Sequence, residues 1–394
     1  MKNRIVTIIG LFALLSTASA AGPKADFNVI PVPRTICAGT SAPFVLDSNT
    51  KIYYEEGQKR NAAFLQQYIT DITGIVPELT DRPRKRGTIS LRVKDTSSDA
   101  EGYTLTVDKK NIHIVGNSPA GVFYAIQTLR KALPAGQASE VEIPSCIVED
   151  SPRFAYRGVH LDVVRHFFPV DSVKRYIDII ALHNVNRFHW HLTDDQGWRV
   201  EIKSRPRLTS VGAYRKQTAG DGTPHGGFYT QDEIRDIIRY AQERYITIIP
   251  EIDIPGHSAA ALASYPEIGC TGGPYEVCEV WGGPADVLCA GKDETMQFLQ
   301  DVFTEIAGLF PSQYIHIGGD ECPKQRWKEC RACQAKIKEL GIVPDKKHSA
   351  EQKLQSYVMV SVEKFLAAKG RKVIGWDEIL EGGLGPDATV HSWR

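Results

Sequence analysis

Residues 158–169 read Gly-Val-His-Leu-Asp-Val-Val-Arg-His-Phe-Phe-Pro. A short apolar run ends in Asp162, Arg165 and His166, and no glycine-rich loop follows it. Downstream, the chain alternates strand, loop and helix, a pattern that implies parallel strands joined by helical crossovers. Two architectures satisfy it. An open doubly wound sheet usually follows its first strand with a glycine-rich phosphate loop. A closed barrel collects polar residues where its strands end. GVHLD lacks the loop and carries the polar residues, so a (β/α)8 TIM-type barrel is expected.

Working outward, apolar runs recur at Gly158–Val163, Arg187–Leu192, Ile246–Ile252, Tyr314–Ile317, Val373–Trp376 and Ala388–Trp393. Amphipathic helices separate them. Asp171-Ser172 opens one, with Val173, Tyr176, Ile177 and Ile180 on a single face. Thr230 and Glu233 form a capping box for a second, whose stripe is Ile234, Ile237, Ile238 and Ala241. Leu299, Val302, Phe303 and Ile306 mark a third, and Ser349 with Gln352 caps a fourth that ends by Gly370. Six strand candidates fall short of eight, and the last ends at His391-Ser-Trp-Arg394. Two further strand–helix units are therefore expected beyond Arg394.

Each run delivers polar groups where it stops. The second gives His189, His191, Asp194, Asp195, Trp198 and Arg199; the third gives Glu251, Asp253 and His257. His316, Asp320 and Glu321 follow the fourth, Trp376, Asp377 and Glu378 the fifth, and His391, Trp393 and Arg394 the sixth. A single strand-end Asp is ordinarily a cap. Six clusters on one rim are better explained by a pocket. Carboxylates with indole rings and a guanidinium suit a sugar: rings pack on its C–H faces and charged groups hold its hydroxyls.

The remainder of the chain frames this region. Residues 21–150 read as a small α/β domain, with a hairpin (Tyr103–Val107, Ile112–Val115) around Asp108–Asn111 and a helix behind Asn117-Ser118. Ile147–Arg153 is the expected boundary, and residues 151–394 form the barrel. Residues 1–20 read as a signal peptide: Lys2 and Arg4 precede a short apolar stretch and Ala18-Ser19-Ala20. The expectation is an exported protein, periplasmic or extracellular, with no membrane segment once the leader is removed. Its 47 basic and 47 acidic residues leave no basic stripe for nucleic acid. All eight Cys follow the leader, so disulfides are open to it. Cys330-Arg-Ala-Cys333 has no second Cys or His pair at finger spacing, and no metal is expected there.

LDVVRHFFP, HWHLTDDQGWR, PEIDIPGHSAA, HIGGDE and GWDE, in this order, closely resemble the β-N-acetylhexosaminidases of glycoside hydrolase family 20. The small N-terminal unit also resembles the domain preceding the barrel in that family. The resemblance implies exo-acting hydrolysis of terminal β-linked N-acetylglucosamine or N-acetylgalactosamine from a glycan or glycoconjugate, without cofactor or metal. It implies a retaining, substrate-assisted route. Glu321 serves as general acid and then base, buried beside Asp320, which holds the 2-acetamido group that attacks the anomeric carbon. Arg165 binds hydroxyls on the far side of the sugar, Asp194 and His257 support the acid, and Trp376 and Trp393 wall the pocket. Two alternatives stand beside it: a metal-dependent barrel hydrolase built on His189 and His191, joined by His257, His316 and Asp320, and a carbohydrate-binding relic without turnover.

Overall fold

The computed structural model describes residues 22–94, 99–282 and 285–394; the leader read at residues 1–20 lies outside them. The chain divides after Ser151 into two compact units.

In the first unit a seven-stranded sheet runs in the order Thr35–Ala38, Cys146–Asp150, Tyr103–Val107, Asn111–Gly116, Thr88–Val93, Lys51–Tyr54, Glu78–Thr80. Tyr103–Val107 and Asn111–Gly116 form the expected antiparallel hairpin. Asp108 makes its turn, its side chain accepting from the amides of Lys110 (2.6 Å) and Asn111 (2.9 Å). Tyr103, Leu105, Val107, Ile112 and Ile114 are buried, the period of two that a half-buried strand requires. The helix Pro119–Ala132 starts where Ser118 accepts from the Ala120 amide.

The second unit is built on a six-stranded sheet: β1 (Gly158–Asp162), β2 (Arg187–His191), β3 (Thr247–Ile254), β4 (Tyr314–Gly318), β5 (Lys372–Trp376) and β6 (Thr389–His391). Every neighbouring pair is parallel and the spatial order follows the chain order. A doubly wound sheet would reverse its order at a switch point. Strictly sequential pairing with helical crossovers is the topology of a TIM-type barrel.

The crossovers are α1 (Val170–Leu182), α2 (Gln231–Gln242), α3 (Asp293–Leu309) and α4 (Ala350–Ala368). Both expected capping boxes form: Thr230 with Glu233 on α2, and Ser349 with Gln352 on α4. Each such cap stabilises its helix by about 1 kcal/mol. Ile234, Ile237, Ile238 and Ala241 of α2 are buried as its stripe predicts, and each large side chain contributes about 1.5–3 kcal/mol through burial. α1 begins earlier than expected, capped by Pro169 with Asp171 inside its first turn. Proline's fixed φ allows that entry, and an acid in the first turn suits the helix dipole. Between β5 and β6 stands only a 3-10 turn, Asp377–Leu380.

Candidate active site

Strand register sets the first layer of the site. Asp162 pairs with His191, His191 with Glu251, and Glu251 with His316. Four polar side chains thus sit side by side on adjacent strands, about 4.8 Å apart from strand to strand. His189, two residues before His191, points to the same face.

Glu251 is the hub of this layer and is completely buried. It accepts from His189 Nε2 (2.8 Å), His191 Nδ1 (2.6 Å) and Trp376 Nε1 (2.8 Å), and lies 3.2 Å from His316 Nδ1. Burial opposes its charge, but the surrounding histidines, His191 first, hold its carboxyl well below the usual range. Among the histidines His191 carries the proton. Burial works against it, yet Glu251 on one nitrogen and Asp194 on the other (2.9 Å) raise its pKa well above the ordinary value. Burial lowers His189 to about 4, so it stays neutral.

A second chain of contacts starts at Asp194. Its carboxylate meets His191, Arg165 Nη2 (2.5 Å) and His257 Nδ1 (3.1 Å). Against burial, the contacts with His191 and His257 hold Asp194 well below the carboxylate range. Arg165 also reaches Asp162 (2.8 Å) and Gln196 (3.0 Å), and its guanidinium lies 4.9 Å from the Trp281 ring centroid. The other nitrogen of His257, Nε2, lies 3.5 Å from Asp320 Oδ2 and 3.6 Å from Glu321 Oε2. Asp253, Asp194 and Asp195 overcome desolvation and raise His257, making it a second imidazolium.

The bend that presents Asp320 and Glu321 needs both glycines before them. Gly318 (φ +65°) has no room for a side chain, since a Cβ would stand 1.6 Å from Asp253 Oδ1. Gly319 (φ +102°) would strike Ile379 at 2.4 Å. Its amide donates to Asp253 Oδ1 (3.2 Å), pinning the bend to the end of β3. Glu321 (φ +44°) and His257 (φ +48°) are themselves left-handed, a conformation costing a non-glycine residue roughly 1–2 kcal/mol. Such strain persists where the surroundings over-determine it, as they do here.

The paired carboxylates differ in environment. Asp320 is largely buried, and its Oδ1 has no hydrogen-bond partner among the described residues. Burial raises its carboxyl to about 6, against the opposing charge of His257. Asp253, fully buried against it, is raised well above the carboxylate range by burial and by Asp320. Glu321 is not buried as expected: its side chain is 60% exposed, because the left-handed turn swings it outward beside Cys322.

The remaining strand ends divide. Trp376 faces the site and packs against His391 (4.5 Å) and His316 (4.8 Å). Trp393 stands 6.3 Å from Trp376, about half exposed, its N–H on Glu378 (3.1 Å). Trp393, Glu321, Lys324, Gln355 and Glu378 line a cavity of about 280 Å³. Trp198 and Arg199 leave the rim. Trp198 packs on Phe298, and Arg199 is fully buried, donating to the carbonyls of Val163, Val164, Ala213 and Gly227. The metal shell built on His189 and His191 does not assemble as one group, since both rings converge on Glu251 while His257 and Asp320 belong to the Asp194 chain. Glu251 carries no role in the sequence motifs, and the signal available there was two carboxylates, Glu251 and Asp253, inside the otherwise apolar run Ile248–Ile254.

Adjacent carboxylates, an imidazole between acids, and indoles thus collect at the strand ends of a barrel-type parallel sheet. Residues 154–394 match the model of glycosyl hydrolase family 20, catalytic domain, and residues 26–151 match its domain 2. The chain belongs to glycoside hydrolase family 20. It is 44% identical to a β-hexosaminidase of Porphyromonas gingivalis, across 93% of this chain and 47% of that one. With the β-hexosaminidase of Vibrio furnissii it shares 37% identity, across 95% of this chain and 61% of the other. The chain therefore spans about half to three-fifths of the length of these curated relatives. The solved β-N-acetylhexosaminidase of Streptomyces coelicolor superposes with a TM-score of 0.80 at 34% identity, covering 93% of this chain and 69% of that structure.

Proposed function

We propose that the protein hydrolyses terminal, non-reducing β-linked N-acetylglucosamine or N-acetylgalactosamine by a retaining, substrate-assisted mechanism. One observation carries the reading: Asp320 and the more exposed Glu321 each bring a carboxylate oxygen within 3.6 Å of one imidazole, and the other oxygen of Asp320, Oδ1, is buried without a partner among the described residues. A buried acceptor of this kind calls for a donor, and a substrate acetamido N–H supplies one. A mutant of the Streptomyces plicatus β-hexosaminidase, 34% identical to this chain with a TM-score of 0.80, has been solved in complex with the product GlcNAc.

The roles follow from position. Glu321 gives its proton to the glycosidic oxygen while the acetamido carbonyl oxygen attacks the anomeric carbon and the bond to the leaving alcohol breaks. Asp320, holding the N–H, stabilises the positive charge that develops on the oxazolinium ring. Glu321 then takes a proton from water, which attacks the same carbon and reopens the ring with net retention. His257, backed by Asp194, sets the field around Glu321; Arg165 supplies donors to ring hydroxyls; Trp376 and Trp393 offer apolar walls. No helix among the described residues is long and apolar enough to cross a membrane, and the N-terminal leader pattern supports export.

The test compares an aryl 2-acetamido-β-glucoside with the matching aryl β-glucoside in the full-length protein. Cleavage confined to the acetamido substrate supports the reading, and equal rates on both would refute it. Inhibition by a thiazoline mimic of the cyclised intermediate is the companion observation.

A further inference from the structure

We infer that Cys270, Cys289, Cys330 and Cys333 form a four-thiolate site for a zinc-class metal ion, which fastens together the two loops that carry His257 and Glu321. The four sulfurs lie within 4.8 Å of one another. Neighbouring sulfurs are separated by 3.6 Å (Cys289–Cys333), 3.7 Å (Cys289–Cys330) and 3.9 Å (Cys270–Cys333). A disulfide would need about 2.05 Å. A metal about 2.3 Å from each of four tetrahedral sulfurs sets them about 3.8 Å apart. The observed spacing matches the second figure.

The pattern of neighbours points the same way. Disulfide bonding is exclusive, one partner to each sulfur. Here Cys289 has two near-equal neighbours, and so does Cys333. A shared ion explains such a set; two separate bonds do not. Cys289 and Cys333 are fully buried, with Cys270 and Cys330 only partly covered, so an ion here would be enclosed yet reachable.

The backbone is shaped for it. Cys330 caps the helix Arg331–Glu339 and Cys333 lies in its first turn, where the helix dipole favours thiolates. The Cys289 loop presses directly on that turn: a Cβ at Gly291 would stand 2.2 Å from the Ala332 carbonyl carbon. Leu288, next to Cys289, accepts from the indole N–H of Trp327 (2.9 Å). The missing second pair of the Cys330-x-x-Cys333 motif thus comes from upstream, from a segment distant in sequence. Cys270 and Cys289 belong to the β3–α3 connection, which bears His257. Cys330 and Cys333 belong to the β4–α4 connection, which bears Asp320 and Glu321. Closing long loops is where a metal clip gains most. Each thiol gives up its proton on binding.

The experiment is metal analysis of the full-length protein, purified without chelator or oxidant. About one zinc per chain is expected. The ion should leave on titration with an organomercurial, and cobalt substitution should give thiolate charge-transfer bands with tetrahedral d–d absorption. Cys333→Ser should abolish stoichiometric metal, and Cys37→Ser, in the other unit, should leave it unchanged. Should Cys333→Ser not fold, Cys330→Ser replaces it, and the wild-type metal content and thiol state decide by themselves. A metal-free wild-type chain whose peptide map shows disulfides among these four cysteines overturns the inference. So does metal content that is indifferent to both Cys333→Ser and Cys330→Ser.

Discussion

His257 Nδ1 stands 3.1 Å from Asp194 Oδ1, and this contact joins the loop after β3 to the loop after β2. The opposite edge of the same imidazole faces the Asp320–Glu321 pair at 3.5 and 3.6 Å. The charge of Asp194, buried in the loop after β2, is thereby felt at the acid on the rim. Asp194 is itself neutralised by His191 and Arg165, so the network joins four strand ends and no member is replaceable in isolation.

Glu321→Gln keeps the shape of the turn and removes the transferable proton. In the full-length enzyme, kcat on a substrate with a poor leaving group should fall by about 10²–10⁴-fold, with a smaller loss for an activated aryl leaving group. Steady-state kinetics on both substrates checks this. Near-normal turnover would remove Glu321 as the acid.

Asp320 must be ionised to hold the acetamido N–H, and burial places its carboxyl at about 6. The rate kcat/KM should therefore climb with pH and level off above about 6, the acid limb belonging to a raised carboxylate. An acid limb centred on the ordinary carboxylate range would contradict the assignment.

The same shift has a cost in stability. A carboxyl raised in the folded state contributes stability that is complete below its unfolded pKa and is lost as pH rises through the folded one. Asp320→Asn should thus stabilise the protein at about pH 7, by on the order of 1–3 kcal/mol, and do much less near pH 4, while abolishing most activity. Denaturant melts at the two pH values decide it; equal effects would show that desolvation is not the dominant influence on this group.

Glu251→Gln leaves His191 buried without its main counter-charge and presents an amide to neighbours that need an acceptor. Removing one partner of a buried ion pair costs about 3–5 kcal/mol. Urea unfolding should show a loss of that order even though Glu251 touches no substrate in the proposed scheme. A loss under about 1 kcal/mol would mean that His191 is neutral.

Gly318→Ala meets two obstacles, a φ of +65° and a Cβ 1.6 Å from Asp253 Oδ1. Relieving the clash moves the bend that positions Asp320. Activity should fall by more than stability does, since displacing a catalytic group by about 1 Å can cost on the order of 10²-fold. Parallel activity and melting measurements test this.

The GVHLD strand end, the spaced apolar runs and the two capping boxes were enough to foresee parallel strands, helical crossovers and a rim of acids, because periodicity and caps are local properties. Tertiary structure alone decided that Arg199 and Trp198 serve the core and that Glu321 faces outward. It also decided that Glu251 gathers three histidines and an indole, and that cysteines far apart along the chain meet. Those outcomes depend on strand register and loop closure, which juxtapose residues tens to more than a hundred positions apart. Local spacing carries no record of such distances; only the packed chain does.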